Sequence, residues 1–205
     1  TLYKESKVER YLDLAKRAVV YLQSIAVGDE SGTLIPYLDN PKTGPTWDKY
    51  YLSTCHGPVG TTLVFRMLYE LTGEQEYLDW IKRLARGIIR AGAPEKNSWG
   101  YWASNCQCCG APGVLEHFVS VYELTGEEEF LEYAKRTADV LVGDSQLLDG
   151  KRRWMSAWNR PTPEVVKSFT GFYVGSAGGS SSLLKPYSAL ENKPFTDIFE
   201  YIYFD

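Results

Sequence analysis

The sequence predicts an all-α chain of paired helices arranged as an α/α toroid, here an open arc of about three and a half repeats. Three observations predict this. The first is internal repetition: "CHGPVGTTLVFRMLYELTGEQEYLDWIKRLA", from Cys55, lies over "CCGAPGVLEHFVSVYELTGEEEFLEYAKRTA", from Cys108, without a gap at a constant offset of 53. The second is a change of pattern inside each copy, from a helix apolar nearly all round to an amphipathic one. The third is a pair of fainter copies on either side.

Within the two strong copies, a glycine-rich start opens a first helix, expected over Val59 to Leu71 and Val114 to Leu124. Each stops at Thr-Gly, where glycine takes the left-handed backbone that ends a helix. The second helix carries Leu78, Ile81, Leu84 and Ile88 on one face and Lys or Arg on the other. Apolar on all sides, the first helix belongs inside, and the second outside it. In the third copy, "YVGSAGGSSSLLKPY", Gly175 and Gly178 keep the glycine spacing while Tyr173 stands at the cysteine position. "RYLDLAKRAVVYL" matches the outer helix, with Tyr11 on Tyr77 and Lys16-Arg17 on Lys82-Arg83. Its inner helix would lie upstream, so residues 1–205 read as one domain lacking upstream repeats.

Composition narrows the function. The chain is 44% hydrophobic and 23% charged, as folded domains are, and its net charge of -4 offers no nucleic-acid-binding face. No apolar run reaches the roughly 18 residues needed to span a bilayer, and "TLYKESKVERY" is too charged for a signal peptide. Nucleic acid and membrane are therefore not expected partners. Aromatics make up 14% of residues and cluster in "PTWDKYY", "SWGYWAS" and "RRWMSAW", where they either cap a core or wall a cleft. "GSAGGSSS" lacks the Gly-Lys-Ser/Thr ending of a phosphate loop and reads as helix-packing glycine.

Chemistry is concentrated in "NCQCCGAPGVLEHF", residues 105–118, which holds three of the four cysteines. Inner helices that start at one end of a ring bring Cys55, Cys108 and Cys109 together, with His56 and Cys106 nearby. Three thiolates suit a zinc site with a fourth position open, and helix N-termini favour thiolate over thiol. A 55–108 or 106–109 disulfide, or inert buried thiols, are the other readings. Cys106 falls outside the repeat signature. His56 aligns with Cys109, so it is either at the site or bonded to a neighbouring backbone group, whereas His117 sits on the apolar helix as packing.

These residues resemble the lanthionine synthetase C-like family, whose cyclases close thioether rings in peptides. "TCHGPVG" is similar to the family's "W-C-x-G" element, "CCGAPG" to its "C-H-G" element, and "GFYVGSAGG" to a later glycine-rich repeat without ligands. The resemblance covers almost the whole chain, and answers to roughly the C-terminal half of the family. It implies an α/α toroid, one Zn²⁺ per chain held by Cys55, Cys108 and Cys109, and His56 as acid or base. It implies a peptide or small-thiol substrate, with a thiol added to dehydroalanine or dehydrobutyrine. The ring would be completed by the upstream half or by a second copy, and reduced cysteines would place the protein in the cytoplasm. Three departures stand out. Thr54 replaces the Trp, Cys109 replaces the usual histidine, and the "G-x-x-H-G" repeat has no match. Two rivals follow: a zinc-stabilised binding scaffold without turnover, and an α/α-toroid carbohydrate enzyme using Glu116 and Asp48 as its carboxylates.

Overall fold

A computed structural model describes residues 2–37, 50–96, 104–156, 162 and 164–190. The chain is mostly helical. A short α1 (Leu2–Ser6) precedes α2 (Glu9–Ile25); α3 (Pro58–Thr72) and α4 (Gln75–Arg90) form one pair, α5 (Ala111–Thr125) and α6 (Glu128–Gly143) the next, and α7 (Ser176–Leu190) follows.

The two strong copies fold alike down to single contacts. Proline in the first turn, Pro58 or Pro112, begins each first helix where a missing N–H costs nothing. Gly73 (φ 70°) and Gly126 (φ 69°) end them in the left-handed region, donating back to the Tyr69 and Tyr122 carbonyls. Thr72 and Thr125 then accept from the N–H groups of Glu74 and Glu127, both at 3.2 Å, and turn the chain into the second helix. Phe65 stacks on Trp80 and Phe118 meets Tyr133, each pair with ring centroids 5.7 Å apart. Both phenylalanines are fully buried, and burial of such a ring is worth about 1.5–3 kcal/mol.

Successive second helices are also joined by one repeated contact. Lys16 reaches Glu74 at 2.7 Å, and the equivalent Lys82 reaches Glu127 at 3.4 Å, with Arg86 adding a 2.7 Å bond to the same carboxylate. These pairs lie at the surface, half-buried to exposed, and add modest stability; they mark the stacking register.

Burial is deepest in the second copy. Helix α5 is buried along nearly its whole length, and α6 buries Phe130, Leu131, Ala134, Thr137 and Leu141 along one stripe. Helix α3 is only half covered, with Leu63 and Leu71 exposed, because it packs chiefly on α4, whereas α5 packs on both α6 and α7.

The all-α expectation needs one correction. Two antiparallel hairpins follow outer helices: β1 (Val27–Asp29) with β2 (Gly32–Leu34) after α2, and β3 (Ser145–Leu148) with β4 (Lys151–Trp154) after α6. The second turns on Asp149 and Gly150, both at positive φ, which is the backbone a two-residue hairpin requires. Trp154 closes that hairpin onto the helices. Its indole N–H donates to the Leu141 carbonyl at 2.7 Å, and its ring lies over Gly179 of α7, where any side chain would crowd it.

Candidate functional site

The three helix starts converge through hydrogen bonds between repeat-equivalent positions. The Cys55 N–H donates to the Cys108 carbonyl at 3.1 Å, and the Cys108 N–H donates to the Tyr173 carbonyl at 3.0 Å. Side chains reinforce the first junction: Ser53 donates to the Gly110 carbonyl at 3.1 Å and Thr54 to that of Gln107 at 3.2 Å. Glycine is required where the loops approach. A Cβ on Gly113 would meet the Gln107 carbonyl, Ser53 and Thr54, and one on Gly110 would collide with the Ser104 carbonyl.

This packing assembles the cysteines. The sulfurs of Cys55 and Cys108 lie within bonding distance as a disulfide, with their Cα atoms 5.6 Å apart. The Cys109 sulfur is 3.3 Å from that of Cys108, and the three sulfurs all fall within 4.8 Å of one another. Disulfide and metal are alternative states of the same atoms. Zinc–sulfur bonds of about 2.3 Å in tetrahedral geometry separate sulfurs by about 3.8 Å, so a reduced Cys55–Cys108 pair with Cys109 fits a soft divalent ion by donor type and spacing.

Cys106 is outside this group of three. Its buried sulfur accepts the Cys109 N–H at 3.3 Å and lies 3.2 Å from the Ser104 hydroxyl. The Cys109 thiol and these donors bring the Cys106 thiol down to about 6. His56 is exposed, its ring against Tyr37 and Tyr51 at centroid distances of 4.8 and 5.3 Å. Asp48 lies outside the described residues.

Glu116 has a structural commitment. It accepts from Ser182 of α7 at 3.0 Å and pairs with Lys185 of α7 at 3.5 Å, both charged side chains being 7% exposed. The same Ser182 hydroxyl lies 2.7 Å from the amide oxygen of Gln107. This α5–α7 network removes Glu116 from the pool of free carboxylates that a glycosidase needs. The sequence reading missed Ser182, Lys185 and Gln107. A signal existed, since the copies set Glu116 and His117 on the apolar Leu63 and Val64.

His117 is buried on α5, as expected, and its Nε2 has no partner among the described residues. Burial, and then the charge of Arg66, push its pKa down to about 3. The unfolded chain, with histidine near 6.5, binds this proton more readily. Stability from His117 is therefore complete above about pH 6.5 and is lost as pH falls toward 3. The slope approaches about 1.4 kcal/mol per pH unit. Urea unfolding across that window should show a steeper decline in the wild type than in His117→Phe; equal slopes would place the acid sensitivity elsewhere.

Fold and site together define a helical-repeat protein with a thiol-rich centre at the helix starts. The family model of the lanthionine synthetase C-like proteins matches residues 1–200, and the chain belongs to that family. The match takes in the N-terminal part of the chain and is not confined to a C-terminal half. No curated protein matches the sequence. Among the described residues no helix is long and apolar enough to cross a membrane.

Proposed function

We propose that this protein is a zinc-dependent, lanthionine cyclase-like catalyst that activates a thiol for addition to a dehydroamino acid in a peptide. The observation that supports it best is the group formed by Cys55, Cys108 and Cys109, drawn from two helix starts that hydrogen bond at equivalent positions. With the disulfide reduced, these three residues would hold one zinc ion per chain and leave a fourth position for a substrate sulfur. Zinc supplies positive charge that keeps that sulfur deprotonated at neutral pH. Three thiolates leave the centre near -1, against about 0 for two thiolates and an imidazole, which favours nucleophilicity over acidity.

The substrate sulfur then adds to the β-carbon of dehydroalanine or dehydrobutyrine, and the π electrons move to the α-carbon, which takes a proton. His56, exposed beside Cys55 and oriented by Tyr37 and Tyr51, is our candidate for the donor. The helices would form an arc of an α/α toroid, completed by further repeats or a second copy. We place the reaction in a reducing compartment such as the cytoplasm.

A dehydroalanine peptide and a small thiol, incubated with reduced, zinc-loaded protein, should give a thioether detected by its mass, and His56→Ala should slow its formation by about 10²–10⁴-fold. Absence of product in the presence of tightly bound zinc would leave the second reading. The Cys55–Cys108 bond favours that alternative, because it covalently staples two repeats and so suits a binding scaffold without turnover.

A further inference from the structure

Gln107 stands between Cys106 and Cys108, and although it carries a polar amide it is only 1% exposed. It is held from both neighbouring repeats. Its main-chain carbonyl accepts the Thr54 hydroxyl of the first copy at 3.2 Å. Its side-chain oxygen accepts the hydroxyl of Ser182, itself fully buried on α7, at 2.7 Å. Thr54 and Gln107 are equivalent in the repeat, each one residue before Cys55 or Cys108, so each copy reaches forward to the next from the same position. Helix α7 also presses on this residue, because a Cβ on Gly178 would come within 3.2 Å of the Gln107 Cβ.

This clamp bears on the sulfurs. The main chain of Cys108 is tied by two bonds, one from the Cys55 N–H and one to the Tyr173 carbonyl. Two bonds at a single residue leave the turn free to rock about the line that joins them. A third attachment, one residue away, stops that rocking and with it the swing of the Cys108 and Cys109 side chains. Ser182 is in turn held on its other side. Its hydroxyl lies 3.0 Å from both the Glu116 carboxylate and the Gly178 carbonyl, and Lys185 fixes Glu116. A hydroxyl has one proton, so these acceptors share it, and the serine is locked in one place. Groups that fix metal ligands from outside cost about 10–100-fold in metal affinity when removed.

We infer that Gln107 and Ser182 are positioning residues of the cysteine group: the third repeat, which brings no thiol at Tyr173, sets the geometry of the other two through this buried bond. The inference rests on the proposed zinc site only for its metal readout, since the same clamp holds Cys108 opposite Cys55 for disulfide formation. The test uses Ser182→Ala, Gln107→Met, which keeps the length of the side chain, and the double variant. The first readout needs no metal. In glutathione buffers, two protein thiols and one oxidised glutathione become the protein disulfide and two reduced glutathiones. Each single variant should disfavour the disulfide by about fivefold to tenfold, which is what one hydrogen bond is worth. The second readout is zinc affinity of the reduced protein against a chromogenic chelator, weakened by about tenfold or more. The double variant should be no worse than the worse single one, because both act through one bond. A merely structural role would lower the unfolding midpoint and leave both equilibria of the folded protein at wild-type values, which would overturn the inference. A shifted glutathione equilibrium in a protein that binds no zinc would keep the clamp and remove the zinc reading. A wild type that forms neither disulfide nor zinc complex would overturn both.

Discussion

Replacing Cys108 with Ala should reduce zinc in the reduced protein from about one ion per chain to near zero. Cys108 is central to the group: its sulfur contacts those of both Cys55 and Cys109. The loop should survive the change, because the contacts that hold it are main-chain ones, from Cys55 to Cys108 and from Cys108 to Tyr173. A structural zinc site is worth about 10–16 kcal/mol, so one of three thiolates lost is about 3–5 kcal/mol, or about 10²–10⁴-fold in affinity, and desalting strips the weakened ion. Cys106→Ala should keep its zinc, since that sulfur is engaged by Ser104 and the Cys109 N–H outside the group. Elemental mass spectrometry after reduction, zinc loading and desalting reads both variants. Stoichiometric zinc in Cys108→Ala would remove these cysteines as ligands. A thiol count after unfolding adds a control, because oxidised protein should carry two cysteines outside the disulfide, Cys106 and Cys109, and bind little zinc until reduced.

The helix pairs and the place of the site were legible because the chain repeats itself. A single copy of "YELTGE" says little; two copies at a fixed spacing locate the glycine stops, the inner phenylalanines and the helix starts at once. The hairpins escaped because strands of three or four residues carry almost no periodicity. Only the Asp149-Gly150 pair announced one of them. Cys55 and Cys108 were marked as partners by their equivalence, but whether two equivalent thiols share a metal or a bond depends on redox state, which no spacing encodes. The polar network around Glu116 was hidden for another reason. Its partners Ser182 and Lys185 lie on the weakest copy, where "GSAGGSSS" reads only as helix-packing glycine. Only tertiary packing of α7 on α5 turns that stretch inward.

That packing makes Lys185→Met the substitution with the largest expected cost to stability. Lys185 and Glu116 are both nearly sealed from water, and their 3.5 Å contact joins α5 and α7. Methionine conserves the length and apolar volume of the lysine stem, so little of the loss is packing. What remains is a carboxylate stripped of its cation in a low-dielectric site, and breaking such a pair from one side costs about 3–5 kcal/mol. Ser182, at 3.0 Å, offsets part of this by donating to the orphaned carboxylate. Glu116→Gln added to Lys185→Met removes the unpaired charge while keeping an oxygen for Ser182 to reach. Chemical denaturation should therefore show the double variant recovering roughly half of the loss, about 1.5–2.5 kcal/mol of coupling. A Lys185→Met protein within about 0.5 kcal/mol of wild type would mean that water reaches the pair and that the α5–α7 junction rests on its apolar contacts instead.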